Sequence, residues 1–167
     1  MCSSDLLTAL FVGTVLVSSL TSRAEVKIPE ECASGGFFVG CQAWTWNHFT
    51  VFEAIEKTAQ AGGKVIEFFP GQRLSPEEKN VSWDHNASPE TIEKVKAKLK
   101  EFNIRPVNYG VVGIPKDPAG ARKVFEFAKA LGLRAITTES VDAIDTFEPL
   151  DRKSTRLNSS HLVISYA

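Results

Sequence analysis

The chain has 167 residues, of which 43% are hydrophobic and 23% charged, with 19 Lys and Arg against 20 Asp and Glu. This is the composition of a folded soluble domain, and it excludes disorder, a collagen-like repeat and a polytopic membrane protein. A formal charge of −1 gives no electrostatic footing on nucleic acid or an anionic membrane, and three cysteines are too few for a disulfide scaffold.

Residues 6–20 (LLTALFVGTVLVSSL) form an uncharged, mostly apolar run. It is shorter than the roughly 20 residues of a spanning helix and matches the core of a signal peptide. Ser22 and Ala24 put small residues at the −3 and −1 positions of a cleavage after Ala24, although residues 1–5 carry an acid and no base. The expectation is a removable signal over 1–24 and a linker over 25–36, an uncleaved anchor or a misassigned start being the other readings. The mature protein is then exported, periplasmic or extracellular, with no membrane attachment after cleavage. Cys32 and Cys41 remain. In an oxidising compartment they could pair across a short loop, but Cys41 sits in an apolar run where a buried free thiol is the commoner state.

From residue 37 onward, short apolar runs alternate with segments of helical period. The runs are FFVGCQAW (37–44), KVIEFF (64–69), IRPVNYGVV (104–112) and LRAITTE (133–139). Each begins apolar and turns polar at its end, as expected of parallel strands buried on both faces with working residues at their C-terminal tips. Between them, Thr50 and Glu53 form a capping box ahead of Phe52, Ile55 and Ala59, and Gly62 and Gly63 stop that helix. Ser88 and Pro89 open a second helix, with Ile92, Val95, Leu99 and Phe102 on one face. Its lysines, Lys94, Lys96, Lys98 and Lys100, read as solvated surface and not as a nucleic-acid patch. Asp117 and Pro118 repeat the start signal for a third helix carrying Ala121, Val124, Phe125, Ala128 and Leu131, and Gly132 ends it.

Strand and helix in alternation, joined by very short helix-to-strand links, make a βαβ series with right-handed crossovers. The links AGGKVIE (61–67) and LGLRAITTE (131–139) resemble each other, which gives a repeat of about 35 residues. No Gly-rich nucleotide turn is present, so the repeat suits a barrel of eight such units better than a doubly wound sheet. Four units make half of it, over 37–150. From residue 151 the sequence DRKSTRLNSSHLVISYA is Ser-rich and basic and drops the upstream period. It is similar to a read-through tail found on unrelated conceptual translations. The expectation for 151–167 is a non-native or disordered tail, a C-terminal strand LVISYA being the other reading.

The blocks VGCQAWTWNHFTVFEAIEKTAQAGGKVIEFFPGQ, WDHN, VNYGVVGIPKD and LRAITTESVDAIDT resemble the N-terminal half of exported bacterial proteins of the sugar phosphate isomerase/epimerase family. The resemblance covers about residues 36–147. It implies an α/β fold, the N-terminal half of a xylose isomerase-like (β/α)8 TIM barrel. It further implies a divalent metal (Mn, Mg, Co or Zn) at the C-terminal face and acidic residues that move a proton beside a sugar carbonyl. Most of the metal ligands would come from later strands. The chain as it stands is therefore expected to bind no metal and to be inert and poorly stable, and its open sheet edges could pair in a homodimer. A non-catalytic exported carbohydrate-binding protein is the alternative.

Glu139 ends the fourth run, and a carboxylate at a strand tip points into a barrel mouth. It is the candidate metal ligand and acid/base group, unless it caps or pairs locally near Asp142 and Asp145. Glu67 is the second candidate catalytic residue. An acid inside VIEFF must be paired or hold its proton more tightly, and Arg105 is a candidate structural partner. Trp44, Trp46, His48, His85 and Tyr109 are candidate substrate contacts. The aromatics could stack on sugar rings or pack in the core. His48 could equally face water at the start of a helix, and His85 could belong to an Asx-type turn in WDHN. Asn80, Asn86 and Asn158 begin Asn-x-Ser triplets, which matter only in a eukaryotic secretory pathway.

Overall fold

The computed structural model describes residues 26–78 and 80–139, together with two later strands, Leu157–Asn158 and His161–Ser165. The signal and cleavage expected over 1–24 lie outside the described residues, as do Asp142 and Asp145. No helix among the described residues is long and apolar enough to cross a membrane.

The first apolar run does not form one strand. A 3₁₀ turn, Glu30–Cys32, leads into β1 (Ala33–Ser34), and the chain reverses at Gly35 and Gly36, with φ of 58° and 84°, into β2 (Phe37–Phe38). Two consecutive residues of positive φ make the hairpin turn that glycine pairs favour. Only β3 (Gly40–Gln42) joins the main sheet, and a second 3₁₀ turn, Ala43–Trp46, follows it. The expected burial on both faces fails here. Phe37, Phe38 and Val39 are exposed, because β2 leaves the sheet and β3 is its edge.

The helices follow their start and stop signals. In α1 (Val51–Gln60) the Thr50 amide donates to the Glu53 carboxylate at 2.8 Å and the Glu53 amide donates to Thr50 Oγ1 at 3.3 Å. These Thr50 bonds, backbone first, hold the Glu53 carboxyl below its ordinary range. Thr50 is itself buried. Thr50→Ala is expected to lower stability by about 0.5–2 kcal/mol, read as a shift of the urea midpoint with unchanged slope. In α2 (Pro89–Glu101) the Ser88 hydroxyl accepts from the Thr91 amide, and in α3 (Pro118–Leu131) Asp117 accepts from Gly120. Gly132, at φ 63°, ends α3 in the left-handed region. The α2 lysines meet carboxylates: Lys94 lies 2.9 Å from Glu78, Lys96 2.8 Å from Glu93 and Lys98 3.2 Å from Glu101.

β3, β4 (Val65–Phe68), β7 (Arg105–Tyr109) and β8 (Ala135–Thr138) form a four-strand parallel sheet in chain order. Right-handed crossovers in unbroken order put every connecting helix on the same face. Accordingly α1 packs on α2 and α2 on α3. Ile66, Phe68, Tyr109 and Ile136 lie beneath that layer, in one cluster with Ala54, Ile55, Val95, Leu99, Val124 and Phe127. Among the described residues the fold is thus mixed α/β, with three helices on the four parallel strands of a six-stranded sheet.

Another part of the fold departs from the sequence reading. The long link after β4 contains a small antiparallel ribbon of β5 (Gln72–Arg73) and β6 (Ser82–Trp83). Gln72 Nε2 donates to the carbonyls of Trp46 and Phe49, at 3.2 and 3.1 Å, which ties the ribbon over the link between β3 and α1. Within residues 151–167, β9 (Leu157–Asn158) and β10 (His161–Ser165) are described, β10 in the stretch of the strand reading LVISYA, and β10 runs antiparallel along β8. An unpaired strand edge presents a row of backbone donors and acceptors, and β10 satisfies the row on β8. Cys32 and Cys41 are both free. Cys32 is buried, and Cys41 Sγ lies 3.1 Å from Thr58 Oγ1 on α1.

Candidate functional site

In a parallel sheet all strands end on the same side, so the polar tips of the four runs gather there. The register makes a row of three: Gln42 of β3 lies opposite Glu67 of β4, and Glu67 opposite Asn108 of β7. Cys41 contacts α1 and Ile66 and Phe68 belong to the core beneath the helices. By alternation Gln42 and Glu67 therefore project from the opposite face. Asn108 Nδ2 donates to Thr137 Oγ1 at 2.7 Å, which extends the row to β8. Gln42 Nε2 donates to the Gly110 carbonyl at 3.0 Å, reaching from β3 to the end of β7 across β4.

Gly110 is required where it stands. A Cβ there would overlap the Thr137 carbonyl oxygen and lie 2.7 Å from Thr137 Cβ. The bare glycine lets the ends of β7 and β8 close on each other, and that closeness sets the Asn108–Thr137 bond.

Glu67 is half-buried and, among the described residues, makes no ion pair. Burial raises its pKa above the ordinary carboxylate value, while hydrogen bonds from Asn108 and Gln42 oppose the rise. A carboxyl of raised proton affinity held between two amides can take up a proton and release it. The Asn108 Oδ1 beside it is buried without a partner. Arg105, the structural partner considered for Glu67, reaches instead towards the Gly132 carbonyl at 3.4 Å.

A second group forms on the link after the ribbon. His85 Nδ1 lies 3.3 Å from the Tyr109 hydroxyl. The ring of Tyr109 is fully buried, with its centroid 4.9 Å from that of Phe127. Burial pushes its hydroxyl well above the ordinary phenol range, with the charge of Asp84 adding to the rise. Burial pushes the Asp84 carboxyl up as well, but bonds from the Asn86 amide, the Ser82 hydroxyl and the Asn86 side chain bring it below its usual value. The Asn86 amide donates to Asp84 Oδ1 at 2.8 Å, so WDHN contains the Asx-type turn weighed above.

The remaining candidates are spread along the same side. Trp44 is 58% exposed and meets Phe69 edge-on, with centroids 4.9 Å apart, so most of its ring is open to a ligand. Trp46 packs against the core with its Nε1 buried and unpartnered. His48 is exposed, and its carbonyl accepts from Arg73 at 3.3 Å. Glu139 follows β8 and is exposed. The structure thus joins Glu67 to Gln42 and Asn108, and His85 to Tyr109. Among the described residues no direct bond joins either group to Trp44 or His48. Among the described residues no three of His, Cys, Asp and Glu gather as a divalent ion requires.

Gln42, Asn108 and Thr137 join the candidate site beyond the residues singled out in the sequence; their signal is the same polar strand tip that marks Glu67 and Glu139, carried by amides and a hydroxyl in place of acids.

No known family model matches this sequence, and no curated protein matches it. Among solved structures, the chain is similar to an uncharacterised protein from Parabacteroides distasonis ATCC 8503. The two share 26% sequence identity at a TM-score of 0.60, over 67% of this chain and 48% of that one. The chain therefore spans about half the length of that protein.

Proposed function

We propose that this chain is the N-terminal half of a xylose isomerase-like (β/α)8 barrel. In the longer protein its strand tips would form part of a sugar isomerase or epimerase site. The observation that carries the reading is Glu67: a half-buried carboxyl of raised proton affinity at a strand tip, between the amides of Gln42 and Asn108. Helices on a single face of a sheet in chain order also favour a barrel half over a doubly wound fold, whose strand order reverses. Glu67 would remove the proton beside the sugar carbonyl and return it, passing through an enediolate. Gln42 and Asn108 would steady its charged form. The divalent ion that the resemblance implies belongs, in this proposal, to the longer protein, with Glu139 as this chain's donor. No step above depends on it.

Exposed Trp44 favours a second reading, a non-catalytic carbohydrate-binding protein that offers a stacking platform. Calorimetric titration of the longer protein with Mn²⁺, Mg²⁺, Co²⁺ and Zn²⁺, followed by an aldose–ketose and epimer screen, separates the two. The isomerase reading expects saturable binding of at least one ion and turnover that needs it. Sugar binding that is indifferent to every ion, without turnover, would select the platform.

A further inference from the structure

The buried pair of Tyr109 and His85 constrains where the histidine carries its proton. Tyr109 is fully buried, so its hydroxyl hydrogen must be donated within the protein. Among the described residues one group meets the phenol oxygen: the His85 ring, which offers Nδ1 at 3.3 Å. A buried hydroxyl that meets no other acceptor among the described residues points its hydrogen at Nδ1. A neutral imidazole that accepts at Nδ1 carries its hydrogen at Nε2. Among the described residues, Nε2 has no hydrogen-bond partner, and the His85 side chain is only half-buried.

We propose that Tyr109 is a positioning residue that locks His85 as the Nε2–H tautomer, so that the ring presents a single N–H donor to an oxygen atom of a ligand at the C-terminal side of the sheet. The ring is fixed at both ends. Tyr109 is anchored by Phe127, and the His85 backbone by the Asx-type turn on Asp84. A ligand hydroxyl or carbonyl oxygen would satisfy the donor, whereas a cationic group would find no acceptor there. That the oxygen belongs to a sugar rests on the isomerase reading. The tautomer does not.

The test is a long-range ¹H–¹⁵N correlation spectrum of the whole chain labelled at histidine, recorded at about pH 8.5, well above the ordinary imidazole value of roughly 6.5. His85→Gln assigns the signal by its disappearance, and exposed His48 serves as the internal reference. The expected wild-type pattern is a bare Nδ1 and a protonated Nε2 for His85, with the Nε2 hydrogen exchanging rapidly with water because no protein group holds it. In Tyr109→Phe, which keeps the ring against Phe127, the Nδ1-protonated form should appear beside the other. A wild-type His85 protonated at Nδ1, a slowly exchanging Nε2 hydrogen, or a tautomer unchanged in Tyr109→Phe would each overturn the proposal. Should the variant fail to fold, the first two wild-type observations still decide. The isomerase reading can fail in the ion titration without altering this spectrum, and the spectrum can fail without altering that titration.

Discussion

Trp83→Ala is expected to cost about 3–5 kcal/mol, a large share of the roughly 5–15 kcal/mol that holds a typical domain together. Trp83 is fully buried although it sits on β6, in a link between elements. Its ring lies 5.5 Å from Phe68 of β4 and 4.9 Å from Phe127 of α3, both nearly edge-on, and Phe127 continues the stack to Tyr109. Removing the indole empties the junction of a strand, a helix and the ribbon, and neighbours on three elements cannot collapse into it together. Trp83→Phe separates the causes. It keeps an aromatic ring and removes an indole N–H that is buried without a partner, so its cost should be well below that of Ala. Urea unfolding followed by circular dichroism measures both. A loss under about 1 kcal/mol for Trp83→Ala would mean that the ribbon unfolds separately from the sheet.

If the proposed isomerase reading holds, Glu67→Gln should lower turnover of the longer protein by about 10²–10⁴-fold, and on any reading it should change how the present chain responds to pH. A carboxyl whose pKa is raised on folding binds its proton more tightly in the folded state. Its contribution to stability is fully present below the ordinary glutamate value of about 4.3 and is lost as pH rises through the raised value. Wild-type stability therefore carries a declining component just above the ordinary value, and Gln, which does not titrate, removes it. Glu53 and Asp84, whose values are lowered, contribute with the opposite sign in both proteins and cancel in the difference. Urea midpoints of both proteins from about pH 4 to 7 should show Glu67→Gln gaining on the wild type as pH rises. A constant difference, or a wild type that gains, would show that burial does not control this carboxyl.

The parts legible in the sequence were those set by local chemistry. Thr50 with Glu53, Ser88 with Pro89, and Asp117 with Pro118 start helices wherever they occur, because each satisfies helix-end amides or presets the backbone. The apolar runs announced four strands for the same reason. The ribbon did not show. Residues 70–87 have no period, and nothing local distinguishes Trp83 as a core residue from a tryptophan on a surface link. The break at residue 39 was missed because an apolar stretch looks continuous until Gly35 and Gly36 fold β2 back on β1. The site was legible in its acids and illegible in its pairings. Gln42 faces Glu67 only once β3 and β4 are in register, and His85 meets Tyr109 across 24 residues of chain. Such contacts depend on the whole fold.

The strand β10 has a further consequence, one of exclusion. A β-strand has two edges, and β7 takes one edge of β8 while β10 takes the other. Any fifth strand that continued the parallel series would need the place β10 holds, in the opposite chain direction. The two arrangements compete for the same row of backbone groups on residues 135–138, and one occupant displaces the other. A sheet that ends on β10 is sealed on that side, and it can be extended there only by giving β10 up.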